Sequence, residues 1–315
     1  MEYAFQNTED VLKLTKKHRI PVSQVAICYE AEFSNMKVSA IRNKMKKRRD
    51  VMYAAVKRGI ATSERSKMGM VGGDAHKLYQ RIKHMKGMMA SKVTLRAMAY
   101  ALAANEQNAC MSRIVAFPTA GGSGVLPGVL FSASEHMHSA KRKLLNGLFC
   151  AAAVGLIIAE GATLSAAEGG CQAEVGAAVA MAAAGLTEMR GGMPEQCFDA
   201  AAIALKSYLG LVCDPLGGLV EVPCTKRNGI GAAAAIAASD MAIAGIKSYI
   251  PFDEVVWAMK NIGQSMSSKL KETALGGLAM TPTGQKIKQK LIDGYKKSNG
   301  CESCGHHVSH KRRFS

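Results

Sequence analysis

The run Leu148-Phe-Cys-Ala-Ala-Ala-Val-Gly-Leu-Ile-Ile-Ala159 is the most apolar in the chain, and its reading decides the fold class. It spans twelve residues and stops at Glu160, whereas a helix crossing a bilayer needs ~20 apolar residues. It therefore reads as a helix buried in protein. A second Ala-rich run, Ala232 to Ile246, contains Asp240 and reads the same way. Farther out, Gly191-Gly192 makes a turn, and Pro194 opens a long Ala/Leu-rich helix toward Gly210. Asp253 reads as an N-cap ahead of Val255, Val256, Met259 and Ile262, which share one helical stripe. The β-like runs Ile114 to Phe117 and Leu219 to Val222 are only four residues each and bounded by Pro or Gly. The expected fold class is all-α, mainly helical around an Ala/Gly-rich core.

Composition sets the compartment and the partners. Hydrophobic residues make up 48% of 315, enough for one large domain or a main domain with a smaller helical extension. Nine cysteines form an odd, irregular set, and the N-terminus lacks the basic-then-apolar run of a signal peptide, so a reducing cytoplasm is expected. No membrane segment is expected. The formal charge of +17 is uneven: residues 37–104 carry a surplus of 14 and residues 286–315 a surplus of six. The run Lys44-Met-Lys-Lys-Arg-Arg49 has the charge to track phosphates. It lacks the aromatic interleaving of a nucleic-acid groove, which favours a solvated helix face or a protein-docking surface.

Cys171, Cys213 and Cys224 each lie in a Gly- or Pro-marked segment: GGCQAEVG, GLVCDPLGG and VEVPCTKRN. Their separations of 42 and 11 residues exclude a self-contained metal finger, so any shared site must be assembled by tertiary structure. Two readings stand on spacing alone. Three thiolates can hold an iron–sulfur cluster and leave one metal position open for chemistry, or the three are small buried hydrophobes, as most free cysteines are. Their placement at helix ends or loops suits ligands, and a cysteine at a helix N-terminus gains thiolate character.

The segments PTAGGSGVLPG (Pro118–Gly128), EGGCQAEVG (Glu168–Gly176), LGLVCDPLGGLVEVPCTKRN (Leu209–Asn228), IPFDEVV (Ile250–Val256) and KETALGGLAMTPTG (Lys271–Gly284) resemble the α chain of iron–sulfur-dependent L-serine dehydratases. GGDAHKL (Gly72–Leu78) and NEQNA (Asn105–Ala109) extend the match upstream in the same order. The resemblance implies a catalytic unit over residues 1–284, with a basic helical part to residue 104 and a cluster-binding part from residue 105; the basic tail at 285–315 departs from the matched pattern and by its composition reads as a disordered segment.

It further implies that Cys171, Cys213 and Cys224 ligate a 4Fe-4S cluster held by loops at helix ends, its fourth iron open to substrate. The implied reaction eliminates water from L-serine, giving pyruvate and ammonia without pyridoxal phosphate. Cys28, Cys110, Cys150 and Cys197 keep the packing reading. For the substrate, the loop from Thr119 to Gly124 offers backbone N–H groups around Gly121, with the Thr119 or Ser123 hydroxyl, to a carboxylate; a tight packing turn is the equal alternative. Lys226, Arg227 and Asn228 follow Cys224, where a cation would offset cluster charge or bind carboxylate. Asn105 and Asn108 either face the site or bridge their neighbours.

No histidine is assigned as the base: His76, His136 and His138 lie outside the cysteine segments. In this family a β region with a serine- and histidine-containing motif is fused or separate. This chain has no such motif, so a separate β subunit is the expected partner, with the basic stretch 37–104 part of its docking surface. In the tail, Cys301 and Cys304, beside His306 and His307, either bind metal, lack order, or reach back to the open iron in the resting state. Two other functions are weighed: a desulfidase acting on L-cysteine through the same ligands, and a non-catalytic iron–sulfur protein that binds nucleic acid or senses redox state.

Overall fold

A computed structural model describes residues 1–85 and 87–298. Among the described residues there are thirteen α-helices and no strand, as the sequence leads one to expect. In chain order they are α1 (Thr8–His18), α2 (Val22–Phe33), α3 (Val38–Ala61), α4 (Asp74–Arg81), α5 (Lys92–Ala109), α6 (Val125–His136), α7 (Lys141–Gly161), α8 (Ala166–Gly169), α9 (Ala177–Met189), α10 (Pro194–Lys206), α11 (Cys224–Ile243), α12 (Phe252–Ser265) and α13 (Pro282–Ser298).

The centre is α9, AAVAMAAAGLTEM, on which nearly every residue is buried. A helix apolar all round must be enclosed on all sides, and α6, α7, α10 and α11 do so. Its small side chains let neighbours approach to backbone distance: a Cβ on Gly185 would lie 2.5 Å from the Gly147 carbonyl oxygen of α7. Such contact compensates for the little area each alanine buries, because dispersion grows with packing density.

The apolar run Leu148–Ala159 lies within α7. By length and composition that helix could cross a membrane, but most of it is buried, against α2 and α9. The second Ala-rich run is the later part of α11 and differs from its reading. Ala232, Ala235, Ala238, Ser239 and Ala242 are buried on one face, whereas Met241 and the Ile246 beyond the helix are exposed. Asp240 on the outer face pairs with Arg190 at 2.7 Å.

Three further expectations meet different outcomes. Pro194 is the first residue of α10, as expected, and the helix ends at Lys206. Asp253 is not an N-cap: α12 begins at Phe252, and the Asp253 carboxylate instead accepts the Thr8 N–H at 3.0 Å and its hydroxyl at 2.9 Å, tying down the start of α1. Neither β-like run is a strand, because no extended neighbour is available to pair with it; a lone bridge joins Cys213 and Lys271. Residues 285–298 of the tail continue α13, which packs on the 3-10 turn Leu216–Gly218. Cys301, Cys304, His306 and His307 lie outside the described residues.

One buried carboxylate joins the basic part to the rest. Gly73, before α4, has no side chain to cap that helix. Glu106 of α5, 2% exposed, reaches across and accepts the N–H groups of Gly73 (3.1 Å), Asp74 (2.9 Å) and Ala75 (3.2 Å). Glu106→Ala leaves these donors buried and unpaired and is expected to destabilise the fold by about 2 kcal/mol, read from the urea midpoint at unchanged m-value.

Candidate metal centre

Cys171 opens a π-helical turn, Gln172–Gly176, that runs directly into α9. Such turns widen the helix and collect at functional sites. Gln172, fully buried, clamps this entrance: its Nε2 donates to the Gly169 carbonyl (2.9 Å) and the Met259 carbonyl (3.0 Å), and its Oε1 accepts the Gly210 N–H (2.9 Å). The last contact draws in the segment leading to Cys213. That cysteine is held by backbone, its N–H donating to Leu270 (2.8 Å) and its carbonyl accepting from Glu272 (3.0 Å). Cys224 is the first residue of α11.

The three thiols lie within electrostatic reach of one another. Burial raises all three above the ordinary thiol range; the Cys171 charge then pushes Cys213 and Cys224 higher, Cys224 to about 12. All three are free and buried. Arg227 is the cation among them. Burial alone would lower its pKa, but the charges of Cys171 and Asp214 prevail and raise it. Its Nη1 donates to the Val212 carbonyl and its Nη2 to Asp214, both at 2.9 Å, so it also braces the Cys213 segment.

The loop 119–124 forms the adjoining wall. Asn228, fully buried, donates to the carbonyls of Gly121 (2.6 Å) and Cys224 (2.9 Å) and accepts the Gly124 N–H (2.9 Å). Asn105 donates to the Ala120 carbonyl (3.4 Å) and the Gly121 carbonyl (3.3 Å) and accepts the Thr225 hydroxyl (2.9 Å). Asn108 donates to the Ala120 carbonyl at 3.4 Å. Both asparagines hold the loop, Asn105 fully buried and Asn108 partly exposed. Buried hydroxyls of Thr119 and Ser123 have no hydrogen-bond partner, and the N–H groups of Gly121 and Gly122 make none among the described residues.

Lys226 is not brought to the thiols: its ammonium pairs with Asp74 at the start of α4. Adjacent residues on a helix point ~100° apart, so only one of Lys226 and Arg227 can face the centre. His76 Nδ1 is 2.9 Å from the Ile60 carbonyl. His136 and His138 lie at the C-terminal end of α6, ~18 Å along the helix from the loop at its start.

Sequence reading missed Glu174, three residues after Cys171 in the π-helical turn, whose charge acts on all three thiols and helps raise their pKa values. Burial raises its pKa; the Thr119 hydroxyl lies beside the carboxyl and offsets this in part without closing a hydrogen bond of normal geometry. The spacing in CQAEVG was the available signal.

These residues fit an iron–sulfur cluster by donor type: three soft sulfurs, one guanidinium to balance charge, and orphaned hydroxyls and N–H groups beside them. A different group, Cys150, Glu188 and Cys197, also has its ligand atoms within 4.8 Å of one another. Glu188 lies near the far end of α9, ~25 Å along the chain axis from Cys171. Its carboxylate accepts the Ser23 N–H (2.9 Å) and so caps α2, and the two thiols pack around it, in keeping with the packing reading of Cys150 and Cys197.

The sequence profile of the family described as "Serine dehydratase alpha chain" matches residues 17–279. The chain is 47% identical over 290 residues to a probable L-serine dehydratase, alpha chain, of Bacillus subtilis (strain 168), covering 92% of this chain and 96% of that one. It is 40% identical over 283 residues to an L-serine dehydratase, alpha chain, of Peptoniphilus asaccharolyticus, covering 90% and 97%. An L-serine dehydratase of Streptomyces coelicolor is 37% identical over 288 residues, but the match spans only 62% of that longer protein.

Proposed function

The chain belongs to the serine dehydratase alpha-chain family, and on that premise we propose that it eliminates water from L-serine, giving pyruvate and ammonia. Cys171, Cys213 and Cys224 would hold a 4Fe-4S cluster, which when bound supplies Lewis acidity toward the leaving hydroxyl. The observation that carries this reading is the convergence of three buried thiols, drawn from segments 42 and 11 residues apart, beside one guanidinium. Arg227 keeps the Cys213 segment seated and offsets thiolate charge. Asn105, Asn108 and Asn228 fix the loop 119–124 with the N–H groups of Gly121 and Gly122 open to a substrate carboxylate. No pyridoxal phosphate is invoked.

We place the α-proton base on a separate β subunit, since His76 Nδ1 is engaged at the Ile60 carbonyl and His136 and His138 lie at the far end of α6 from the loop 119–124. The longer Streptomyces coelicolor relative supports a further region beyond the matched part. The catalytic unit is residues 1–284, and the free cysteines suit a reducing cytoplasm. The test is pyruvate release from L-serine by anaerobically purified protein, alone and with a candidate β chain. Turnover that needs both chains is expected; sulfide release from L-cysteine in preference to pyruvate from L-serine would overturn the substrate, and full activity of this chain alone would overturn the partner.

A further inference from the structure

We infer that Glu174 is the anchor for the α-ammonium group of the substrate, an inference that rests on the dehydratase reading above. The π-helical turn places Glu174 on the loop 119–124 so closely that a Cβ at Gly121 would lie 2.5 Å from its Oε2, and one at Gly122 would lie 2.9 Å from its backbone oxygen. Glycine at these positions leaves the carboxylate level with the loop's open N–H groups. Glu174 is only partly buried, whereas Gln172, Ala173, Val175 and Gly176 around it are buried, so its carboxyl is the part of the turn that a small molecule can reach.

Its carboxylate has no cation paired to it among the described residues, and the nearest charges that act on it include another carboxylate, Glu272. The three thiols are anionic when they bind metal, and the one guanidinium present, on Arg227, is already spent on Asp214, the Val212 carbonyl and Cys171. A partly dehydrated carboxylate beside anionic thiols, with the one nearby guanidinium already engaged elsewhere, is complementary to an ammonium ion. The zwitterion of L-serine supplies one, with its carboxylate meeting the N–H groups of Gly121 and Gly122 and its hydroxyl left toward the thiols. The same recess selects against hydroxy acids that have the carboxylate and hydroxyls but no positive charge.

The experiment compares wild type with E174Q, both loaded with iron and sulfide anaerobically. Iron and sulfide per chain and the visible spectrum are measured first and are expected to be equal. Calorimetric titration then follows L-serine and glycerate, which carries a hydroxyl where serine carries the ammonium. Loss of one partner of a partly buried charge pair should weaken serine binding at least ~30-fold, with glycerate affinity unchanged. Equal weakening of both ligands, or serine affinity within twofold of wild type, would overturn the inference while leaving the dehydratase reading intact. Loaded wild type that neither binds serine nor, with its partner, releases pyruvate would overturn both. G121A supplies a second variant: the three atoms nearest its methyl all belong to the flexible carboxyl end of Glu174, so the chain should fold, keep its iron and bind serine more weakly; serine affinity at the wild-type level would count against the inference.

Discussion

Cys213→Ser is expected to strip the chain of iron and lower serine turnover by more than ~100-fold, since even loss of an outer-shell partner of a metal typically costs 10–100-fold. The substitution is close to isosteric, and the backbone bonds that seat residue 213, to Leu270 and from Glu272, do not involve the side chain. The fold should therefore survive, at a cost of about 1–2 kcal/mol for burying a hydroxyl without a partner. Cys197→Ser is the control. It alters the other buried group, with Cys150 and Glu188, and should retain full iron content. Iron and sulfide analysis of both variants after identical anaerobic reconstitution decides which group holds the cluster; iron lost from C197S and kept in C213S would reverse the assignment.

Residue 213 also shows how far the sequence could be read. The proposal that Cys171, Cys213 and Cys224 share a site came from the motifs around them, whereas the contacts that draw their segments together are long-range. Gln172 brings Gly210 and Met259 to the entrance of α9, and Lys271 bridges to Cys213, contacts that no local pattern encodes. The helices were legible wherever an apolar run exceeded two turns, as in α7 and α10, because burial dominates there. Asp253 failed for the opposite reason. The N-cap rule weighs local hydrogen bonds, and in the folded chain a residue 245 positions away, Thr8, offered the carboxylate both an N–H and a hydroxyl. Lys226 and Arg227 are equal in sequence and separated only by helix rotation, which cannot be phased until the start of α11 at Cys224 is known. Glu174 was within reach, since a carboxylate only three residues beyond a candidate ligand stays close to it in any helical turn, here a π-helical one.

Gly124→Ala is expected to have the largest effect on stability of any single methyl addition near the site. Gly124 stands at the start of α6, where a Cβ would lie 2.1 Å from the Ala101 carbonyl oxygen of α5 and 3.0 Å from Asn228 Oδ1. The obstacle is backbone on a buried helix, so no side-chain rotation relieves it. One turn later Gly128 approaches the same partner, with a Cβ 2.6 Å from the Ala97 carbonyl oxygen, and one turn beyond that the Ser132 hydroxyl donates to the Val93 carbonyl at 2.7 Å. The whole α5–α6 crossing is thus set by this stripe of small residues, and prying it open at Gly124 shifts it along its length. Overpacking against well-packed neighbours costs about 1–3 kcal/mol, and rigid backbone places this case at the upper end, about 3 kcal/mol. The change would also pull the Gly124 N–H from Asn228, the residue that ties loop 119–124 to the Cys224 carbonyl. Stability and metal retention should therefore fall together: a lower urea midpoint in the apo chain and faster iron loss to a chelator in the loaded one. A G124A chain with reduced stability but wild-type iron retention would show that the loop and the thiol site are independent, and that Asn228 does not couple them.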